Sequence, residues 1–342
     1  MPPHGEQTNQ RLRAQTPGEN SLSPRLWTRL PFTLLGLALI GVLLWQVSLW
    51  ETLDLLRRLG WSGLWILLPY GVGALFCCQG WACALKTFGE AVPLARLYRA
   101  RLTGEAVNNV TPGGDIGGEP LKVYMLTTWG VPTDKALASL VIARTGLIAG
   151  QILFILLGLP FFLHRLGLLR QDGIVLLPLL GLAYLFVHLF IRLQKKGTLA
   201  LSVRSLKWAL PWLERWENTA RSIDVYLREF YHTSPRAFLA STFYNLLGWL
   251  LGTAETALIL FLLGVSFRPV DAVIIESMVQ PLTVAGLLIP GALGVKEAGG
   301  VFLCQLLGID QAAGLTLMVL KRVPEAVYTL AGLFLLTRLG KR

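Results

Sequence analysis

The sequence predicts an all-α fold: a polytopic integral membrane protein with about six full transmembrane helices and two re-entrant hairpins of broken helix, arranged as an inverted repeat. Three observations predict this class. Of the 342 residues, 54% are hydrophobic and only 15% are charged, and the mean hydropathy is +0.56, so a soluble domain would expose large apolar patches. Several apolar stretches are long enough to cross a bilayer. A glycine-rich, charge-bearing block occurs twice, as in transporters built from repeats.

The full-length spans follow from the lengths of the apolar stretches. A hydrocarbon core of about 30 Å needs roughly 20 predominantly apolar residues in a helix. The stretches that meet this requirement are 31–50, 61–86, 134–163, 173–192, 237–264 and 312–338. Two further apolar segments, 94–127 and 270–305, are interrupted by Pro and Gly. These interruptions predict two shorter helices in each segment.

The duplicated block runs from Pro112 to Arg144 and again, without a gap, from Pro290 to Arg322. The identical pairs are Pro112/Pro290, Gly113/Gly291, Glu119/Glu297, Val123/Val301, Gly130/Gly308, Leu137/Leu315, Val141/Val319 and Arg144/Arg322. The number of identities is modest. However, they include the Pro-Gly pair, the acid and the arginine, which apolar composition explains least.

The basic residues predict the orientation. The net charge is +11, but these residues separate by side of the membrane, so no nucleic-acid partner is expected. One side has Arg11, Arg13, Arg25, Arg29, Lys86, Arg96, Arg99, Arg101, the segment 192–236, Arg338, Lys341 and Arg342, and the other has Arg57, Arg58, Arg165, Arg170 and Arg268. The positive-inside rule then makes both termini cytoplasmic. The two broken segments enter from opposite sides, so the repeat is inverted.

The chain divides into a tail and one membrane domain. Residues 1–29 are polar and proline-rich, which predicts a disordered cytoplasmic tail. Residues 30–342 form the single membrane domain. Within it, repeat 1 covers approximately 58–163, a linker helix and an amphipathic segment cover 173–235, and repeat 2 covers approximately 236–338.

The two helix breaks supply the candidate site. The breaking residues are Pro112, Gly113, Gly114, Gly117 and Gly118 in the first block, and Pro290, Gly291 and Gly294 in the second. Unpaired backbone groups at membrane depth require protein or a water-filled cavity around them. The free N–H groups at the start of each second half-helix also form a site for an anionic group.

Charged side chains within the apolar segments are expected to face protein or water, because each costs about 2.5–3.5 kcal/mol at the bilayer centre on insertion scales. They are Glu105, Asp115, Glu119, Lys122, Arg144, Glu255, Glu276, Lys296, Glu297, Lys321, Arg322 and Glu325. Arg101, Glu105 and Asn108 share one helical face before the first break. They fit the lining of a polar cavity, and they equally fit a simple ion pair between Arg101 and Glu105 at the cytoplasmic interface.

Nothing in the sequence predicts a soluble-enzyme centre. The glycine-rich run has neither the dinucleotide-binding nor the P-loop pattern. The four histidines are scattered, and the four cysteines lack metal-ligand spacing. We therefore expect no cofactor and no metal.

Four motifs stand in order along the body of the chain: GEAVNN at 104–109, PGGDIGGE at 112–119, SLVIAR at 139–144 and IPGALGVKE at 289–297. They resemble the lysylphosphatidylglycerol synthase transmembrane (flippase-like) family, over nearly all the chain after the tail. The resemblance implies a protein of the bacterial inner membrane that moves a lipid substrate, an anionic phospholipid or an isoprenoid-linked amphiphile, between leaflets. A separately encoded lipid-biosynthesis enzyme would be its partner.

The resemblance does not extend to synthesis. In the aminoacyl-phospholipid synthases the membrane part is joined to a large soluble domain that performs aminoacyl transfer. Here the chain ends four residues after Arg338, so synthase activity is not expected. The second motif also has Ala292 and Leu293 where the first has Gly114 and Asp115, so the two half-sites are not expected to be equivalent.

The mechanistic hypothesis assigns roles to the charged residues. Arg144 and Arg322 hold an anionic headgroup, and Glu119 and Glu297 neutralise these arginines when the site is empty. Asp115 and Lys296 complete the predicted lining, and rocking of one repeat against the other exposes the site alternately.

Other interpretations remain open at this point. The Glu/Arg pairs could only fix helix packing. The chain could be a membrane-embedded lipid head-group transferase or phosphatase that uses Glu105, Asp115 and Glu119, or a non-transporting scaffold of lipid biosynthesis.

Overall fold

The computed structural model describes residues 60–110, 117–168, 176–196, 217–286, 292 and 294–339. In this part of the chain the secondary structure is helical throughout, with no strand, which confirms the all-α membrane fold. The predicted tail 1–29 and the predicted span 31–50 lie outside the described residues.

Ten α-helices follow one another in the described residues. A 3₁₀ segment, Gly60–Ile66, leads into the first. They are α1 (Leu67–Thr87), α2 (Leu94–Val110), α3 (Glu119–Thr128), α4 (Thr133–Arg165), α5 (Leu176–Lys195), α6 (Glu217–Thr233), α7 (Pro235–Leu262), α8 (Pro269–Ala285), α9 (Val295–Leu306) and α10 (Gln311–Leu339).

Three helical stretches are long and apolar enough to cross a membrane: Gly60–Thr87, Thr133–Arg165 and Pro235–Leu262. They match three of the predicted spans. Helices α5 and α10 lie where two further spans were predicted, and they have 20 and 29 residues. At 1.5 Å per residue, these are about 30 and 44 Å long. Helix α10 is the less apolar of the two because it carries Lys321 and Arg322 near its middle.

Both interrupted segments are pairs of short helices. Helices α2 and α8 have 17 residues each, and α3 and α9 have 10 and 12. None is longer than about 26 Å, which is less than the hydrocarbon core of roughly 30 Å. The breaks fall between Val110 and Glu119 and between Ala285 and Val295, at the positions that the Pro-Gly motifs predict.

The order of helices repeats along the chain. A long helix, two short helices and a long helix form α1–α4, and the same order forms α7–α10. Glycines with positive φ precede the last helix of each unit, Gly130 at 92° and Gly308 at 81°. In both cases the amides of the glycine and of the next residue bond back to the last turn of the preceding helix. This is the closing pattern of a helix that ends at a left-handed glycine.

The two four-helix units pack into each other. Helix α2 packs on α10 and α4 packs on α8, so each unit covers the first short helix of the other. Between them α1 runs against α7, where a Cβ on Gly248 would lie 3.3 Å from the carbonyl oxygen of Gly73. Small residues allow helices in membranes to approach this closely. The largest apolar cluster lies in the second unit and includes the buried Ile259, Ile275 and Leu317.

Helices α5 and α6 lie between the two units in sequence and pack beside α4. The described part of the predicted amphipathic segment is helix α6, whose Leu227 and Phe230 are buried. The Tyr231 hydroxyl donates to the side-chain oxygen of Gln194 at 2.6 Å, and the amide of Gln194 donates to the Thr145 hydroxyl at 2.9 Å. These bonds attach the intervening segment to the first unit.

The packing of α2 on α10 and of α4 on α8 is here called the exchanged packing. It makes Gly332 sensitive to substitution. A Cβ at this position of α10 would meet the backbone carbonyl of Leu102 in α2. We expect Gly332→Ala to lower the free energy of unfolding by about 1–3 kcal/mol, because overpacking forces the two helices apart. Thermal unfolding of the purified full chain in detergent measures the change.

Gly181 provides the matched control. It lies in α5, and no atom of the described residues lies within 4 Å of an added Cβ. Gly181→Ala should leave the unfolding midpoint unchanged or slightly higher, since alanine favours helix. Equal midpoints for the two variants would contradict the α2–α10 packing.

Candidate functional site

A four-residue ionic network, here called the arginine network, joins the start of α9 to the middle of α10. It consists of Lys296, Glu297, Arg322 and Glu325. Arg322 Nη2 lies 2.6 Å from Glu297 Oε1, and its Nη1 lies 2.8 Å from Glu325 Oε2. Lys296 Nζ lies 2.6 Å from the other oxygen of Glu325. Two cations therefore face two carboxylates among the described residues.

The helix break positions this network. Gly294, at φ 81°, precedes the first residue of α9 and donates its N–H to Glu297 Oε2 at 2.7 Å. Glu297 thus caps the helix with one oxygen and binds Arg322 with the other. The side chain of Arg322 is 27% exposed.

A second group of polar side chains, here called the lysine cluster, lies deeper in the same unit. It consists of Glu255 and Thr256 of α7, Glu276 of α8 and Lys321 of α10. Lys321 Nζ lies 2.7 Å from Glu276 Oε2 and 3.8 Å from Glu255 Oε2. The Thr256 hydroxyl donates to Glu276 at 2.8 Å. Each of the three charged residues is less than a tenth exposed, so solvent does not reach the cluster.

The lysine cluster extends across to the first unit. The amide of Gln280, on α8, donates to the backbone oxygen of Glu276 at 3.3 Å. The amide of Gln151, on α4, donates to the side-chain oxygen of Gln280 at 3.2 Å. Since Lys321 and Arg322 are consecutive in α10, the lysine cluster and the arginine network lie on neighbouring faces of this helix.

The first hairpin is joined by an uncharged contact. Asn108 Oδ1, near the end of α2, accepts a hydrogen bond from the Gly118 N–H at 2.6 Å, which satisfies a free donor at the start of α3. A Cβ on Gly118 would collide with the carbonyl of Gly104. The two short helices touch there, and only glycine fits.

Two local ion pairs accompany this contact. Arg101 Nη2 lies 2.6 Å from Glu105 Oε1 within α2, which is the ion pair that the sequence left open as one of two interpretations. Lys122 Nζ lies 2.7 Å from Glu119 Oε1 within α3. The acid of the first repeat is therefore paired differently from the prediction, which expected Arg144 as its partner.

The two duplicated arginines differ in their surroundings. Arg322 lies in the arginine network, whereas Arg144 lies on an exposed face of α4. Among the helix-breaking residues, Gly117, Gly118 and Gly294 are described. The remaining helix-breaking residues and Asp115 lie outside the described residues. They are Pro112, Gly113, Gly114, Asp115, Pro290 and Gly291.

Four charged residues of the site were missed as site residues from sequence. These are Glu255, Glu276, Lys321 and Glu325. The sequence showed that they are charged residues within apolar helices, but their spacing could not show which residues on different helices would pair.

In the described part of the chain, no three His, Cys, Asp or Glu side chains are grouped to hold a metal ion. A small cavity of about 160 Å³ lies elsewhere, lined by Lys135, Tyr226 and Glu229 among others.

The fold and the site define a class: an all-helical membrane protein in which two interrupted helix pairs pack against long helices and carry internal ion pairs. The chain belongs to the family described as lysylphosphatidylglycerol synthase TM region, whose model matches residues 33–332. This match confirms the resemblance in the motifs.

Two curated relatives are similar to it over most of their length. A UPF0104 membrane protein of Methanothermobacter thermautotrophicus is 22% identical over 275 residues, covering 75% of this chain and 79% of the relative. A UPF0104 membrane protein of Pyrococcus horikoshii is 23% identical over 317 residues, covering 85% of this chain and 90% of the relative.

Breaking the lysine cluster should be costly. Lys321→Met leaves the Glu276 carboxylate buried without its cation, and we expect a loss of about 3–5 kcal/mol in the free energy of unfolding. The double variant Lys321→Met/Glu276→Gln should recover most of this loss, because the uncompensated charge is gone. Unfolding of the detergent-solubilised protein measures both.

Arg221 supplies the control for this prediction. It forms an i,i+4 pair with Glu217 on α6, and its side chain is 62% exposed. Arg221→Met should cost less than about 1 kcal/mol. A Lys321→Met variant as stable as Arg221→Met would contradict the buried pairing.

Proposed function

We propose that this protein moves an anionic lipid between the two leaflets of the plasma membrane, and that the arginine network binds the headgroup. The observation that supports this most is the state of Arg322. Its guanidinium is paired with two carboxylates, Glu297 and Glu325, beside the start of an interrupted helix, and its side chain is 27% exposed.

The chemistry of these groups suits a phosphate-bearing headgroup. A guanidinium presents paired N–H donors that match the oxygens of a phosphate. An incoming phosphate would replace Glu297 or Glu325 on Arg322, so the positive charge of Arg322 has an anionic partner in both the empty and the occupied site. Lys296 provides a second cation, and the free N–H groups at the start of α9 favour an anion.

The exchanged packing supports a transport role. We infer that the α2–α3 and α8–α9 pairs are re-entrant hairpins that enter from opposite sides, in an inverted repeat with both termini cytoplasmic. Transporters of this kind bind substrate where such repeats meet and move one repeat against the other. Since α2 rests on α10 and α4 rests on α8, any rocking motion changes both hairpins together.

We infer the substrate class from the positive charges of the arginine network and from membership of the lysylphosphatidylglycerol synthase TM family. An anionic phospholipid or an isoprenoid-linked amphiphile offers the phosphate that the arginine network requires. We propose no catalytic activity for this chain, and a separately encoded enzyme of lipid biosynthesis would supply the lipid.

Substituting the arginine tests the function. Arg322→Gln should reduce flipping of a fluorescent phosphatidylglycerol at least about tenfold, because the loss of one charged hydrogen-bonding partner costs about 1.5–3 kcal/mol. Reconstituted full-length protein in proteoliposomes, with dithionite quenching of the outer leaflet, measures the rate. Arg221→Gln, on the exposed face of α6, should flip at the wild-type rate.

A charge exchange separates lipid binding from helix fixation. Arg322→Glu combined with Glu297→Arg keeps the ion pair but moves the guanidinium to the start of α9. We expect this double variant to regain the unfolding midpoint lost by Arg322→Glu alone, without regaining transport. Recovery of both properties would show that the pair only holds the helices together, and undiminished flipping by Arg322→Gln would refute the proposal.

A further inference from the structure

The charges of the lysine cluster do not balance. Two buried carboxylates, Glu255 and Glu276, face one ammonium group, Lys321. Glu276 accepts hydrogen bonds from that ammonium group and from the Thr256 hydroxyl. Glu255 lies more than 1 Å farther from Lys321 than Glu276 does, at 3.8 Å compared with 2.7 Å. With every group ionised, one negative charge would remain in a site that is closed to solvent.

Glu255 is also incompletely hydrogen-bonded. The residue is 4% exposed, and its Oε1 finds no hydrogen-bond partner among the described residues. A buried carboxylate oxygen without a donor loses its hydration without compensation. Binding one proton removes the charge and lets Oε1 exist as a neutral hydroxyl or carbonyl oxygen.

Among the described residues, the surrounding groups supply no other compensation. Those that act on Glu255 are Lys321 and Glu325 of α10, Glu276 of α8, Lys296 of α9 and Tyr70 of α1. Lys296 and Glu325 are paired with each other at 2.6 Å, and Lys321 lies against Glu276. In the part of the chain that the structure describes, one acid therefore remains without a counter-charge.

The first unit fills the same positions with neutral residues. At the 178-residue offset of the repeat, the lysine cluster corresponds to Cys77, Cys78, Tyr98 and Ala143. Both units have the same order of helices and equivalent helix contacts, so this four-helix arrangement forms without charges at these positions. Ionisable groups are expensive inside a membrane and usually mark a pathway or a relay. The charges of the second unit are therefore candidates for such a pathway or relay.

We propose that Glu255 is a proton-binding site that couples the second unit to a transmembrane proton gradient. This inference rests on the proposed transport function for its purpose, but not for the existence of the site. The site takes one proton on the Glu255 carboxylate from the aqueous phase of higher proton activity and releases it to the other phase in a second conformation. A sodium ion fits less well, because the ammonium of Lys321 already occupies the position between the carboxylates.

The path from proton to lipid runs through α10. Lys321 interacts electrostatically with Glu255, and the next residue, Arg322, lies in the proposed headgroup site. When Glu255 loses its proton, Lys321 is drawn by two carboxylates instead of one. A shift of Lys321 rotates or translates the turn that carries Arg322, so protonation and headgroup binding act on one rigid element.

Infrared spectroscopy tests the proton site without any transport. The detergent-solubilised full chain at neutral pH should show the carbonyl-stretch band of a protonated carboxylic acid. Glu255→Gln should lose this band and Glu255→Asp should keep it. Glu217→Gln, on α6, is the control and should leave it unchanged. Retention of the band in Glu255→Gln overturns the proposal.

Transport experiments test the coupling. In proteoliposomes with fluorescent phosphatidylglycerol, an imposed proton gradient should change the flipping rate of the wild type and of Glu255→Asp, and this response should be lost in Glu255→Gln. A wild type that flips lipid equally with and without the proton gradient, or that responds only to a sodium gradient, overturns the coupling. If the wild type flips no lipid, the proposed function fails, and the infrared band still decides the proton site.

Discussion

A helix that stops within an apolar layer must find partners for its free backbone groups, and both hairpins are organised around this constraint. In the first, Asn108 of α2 accepts the Gly118 N–H, and glycine at 118 lets the two short helices touch. In the second, Glu297 accepts the Gly294 N–H. Because Glu297 is charged, the second solution introduces a carboxylate that itself needs a cation, and Arg322 supplies it. The uncharged cap of the first hairpin creates no such demand.

This difference explains why two units with the same order of helices have different chemistry. Among the described residues, the second unit contains a balanced network around Arg322 and an unbalanced cluster around Lys321, on adjacent residues of α10. In the first unit, Arg101 with Glu105 and Lys122 with Glu119 pair within single short helices, and Lys135 of α4 pairs with Glu90 of the α1–α2 loop. In the second unit, pairs between helices connect α7, α8, α9 and α10.

The sequence allowed us to predict features that depend on residues adjacent in the chain, but not the contacts between distant helices. The helix breaks depend on residues that act on their own backbone, so the Pro-Gly motifs located them correctly. The partner of Glu119 depends on which side chain is nearer in three dimensions, and Lys122, one turn away, replaced the expected Arg144. The lysine cluster was not predictable in the same way, because Glu255, Glu276 and Lys321 come from three helices whose contacts no spacing encodes.

The exchanged packing also determines when the molecule can become complete during its synthesis. Asn109 of α2 donates to the Thr329 hydroxyl of α10 at 2.8 Å, across a separation of 220 residues. A nascent chain inserts its helices one after another, so α2 must wait for this partner until α10 has emerged. During that interval the surface of α2 that carries Leu102 and Ala106 lacks its contact with Gly332 of α10. A break in translation before α10 would leave the first hairpin unsupported, which makes the last helix the closing step of assembly.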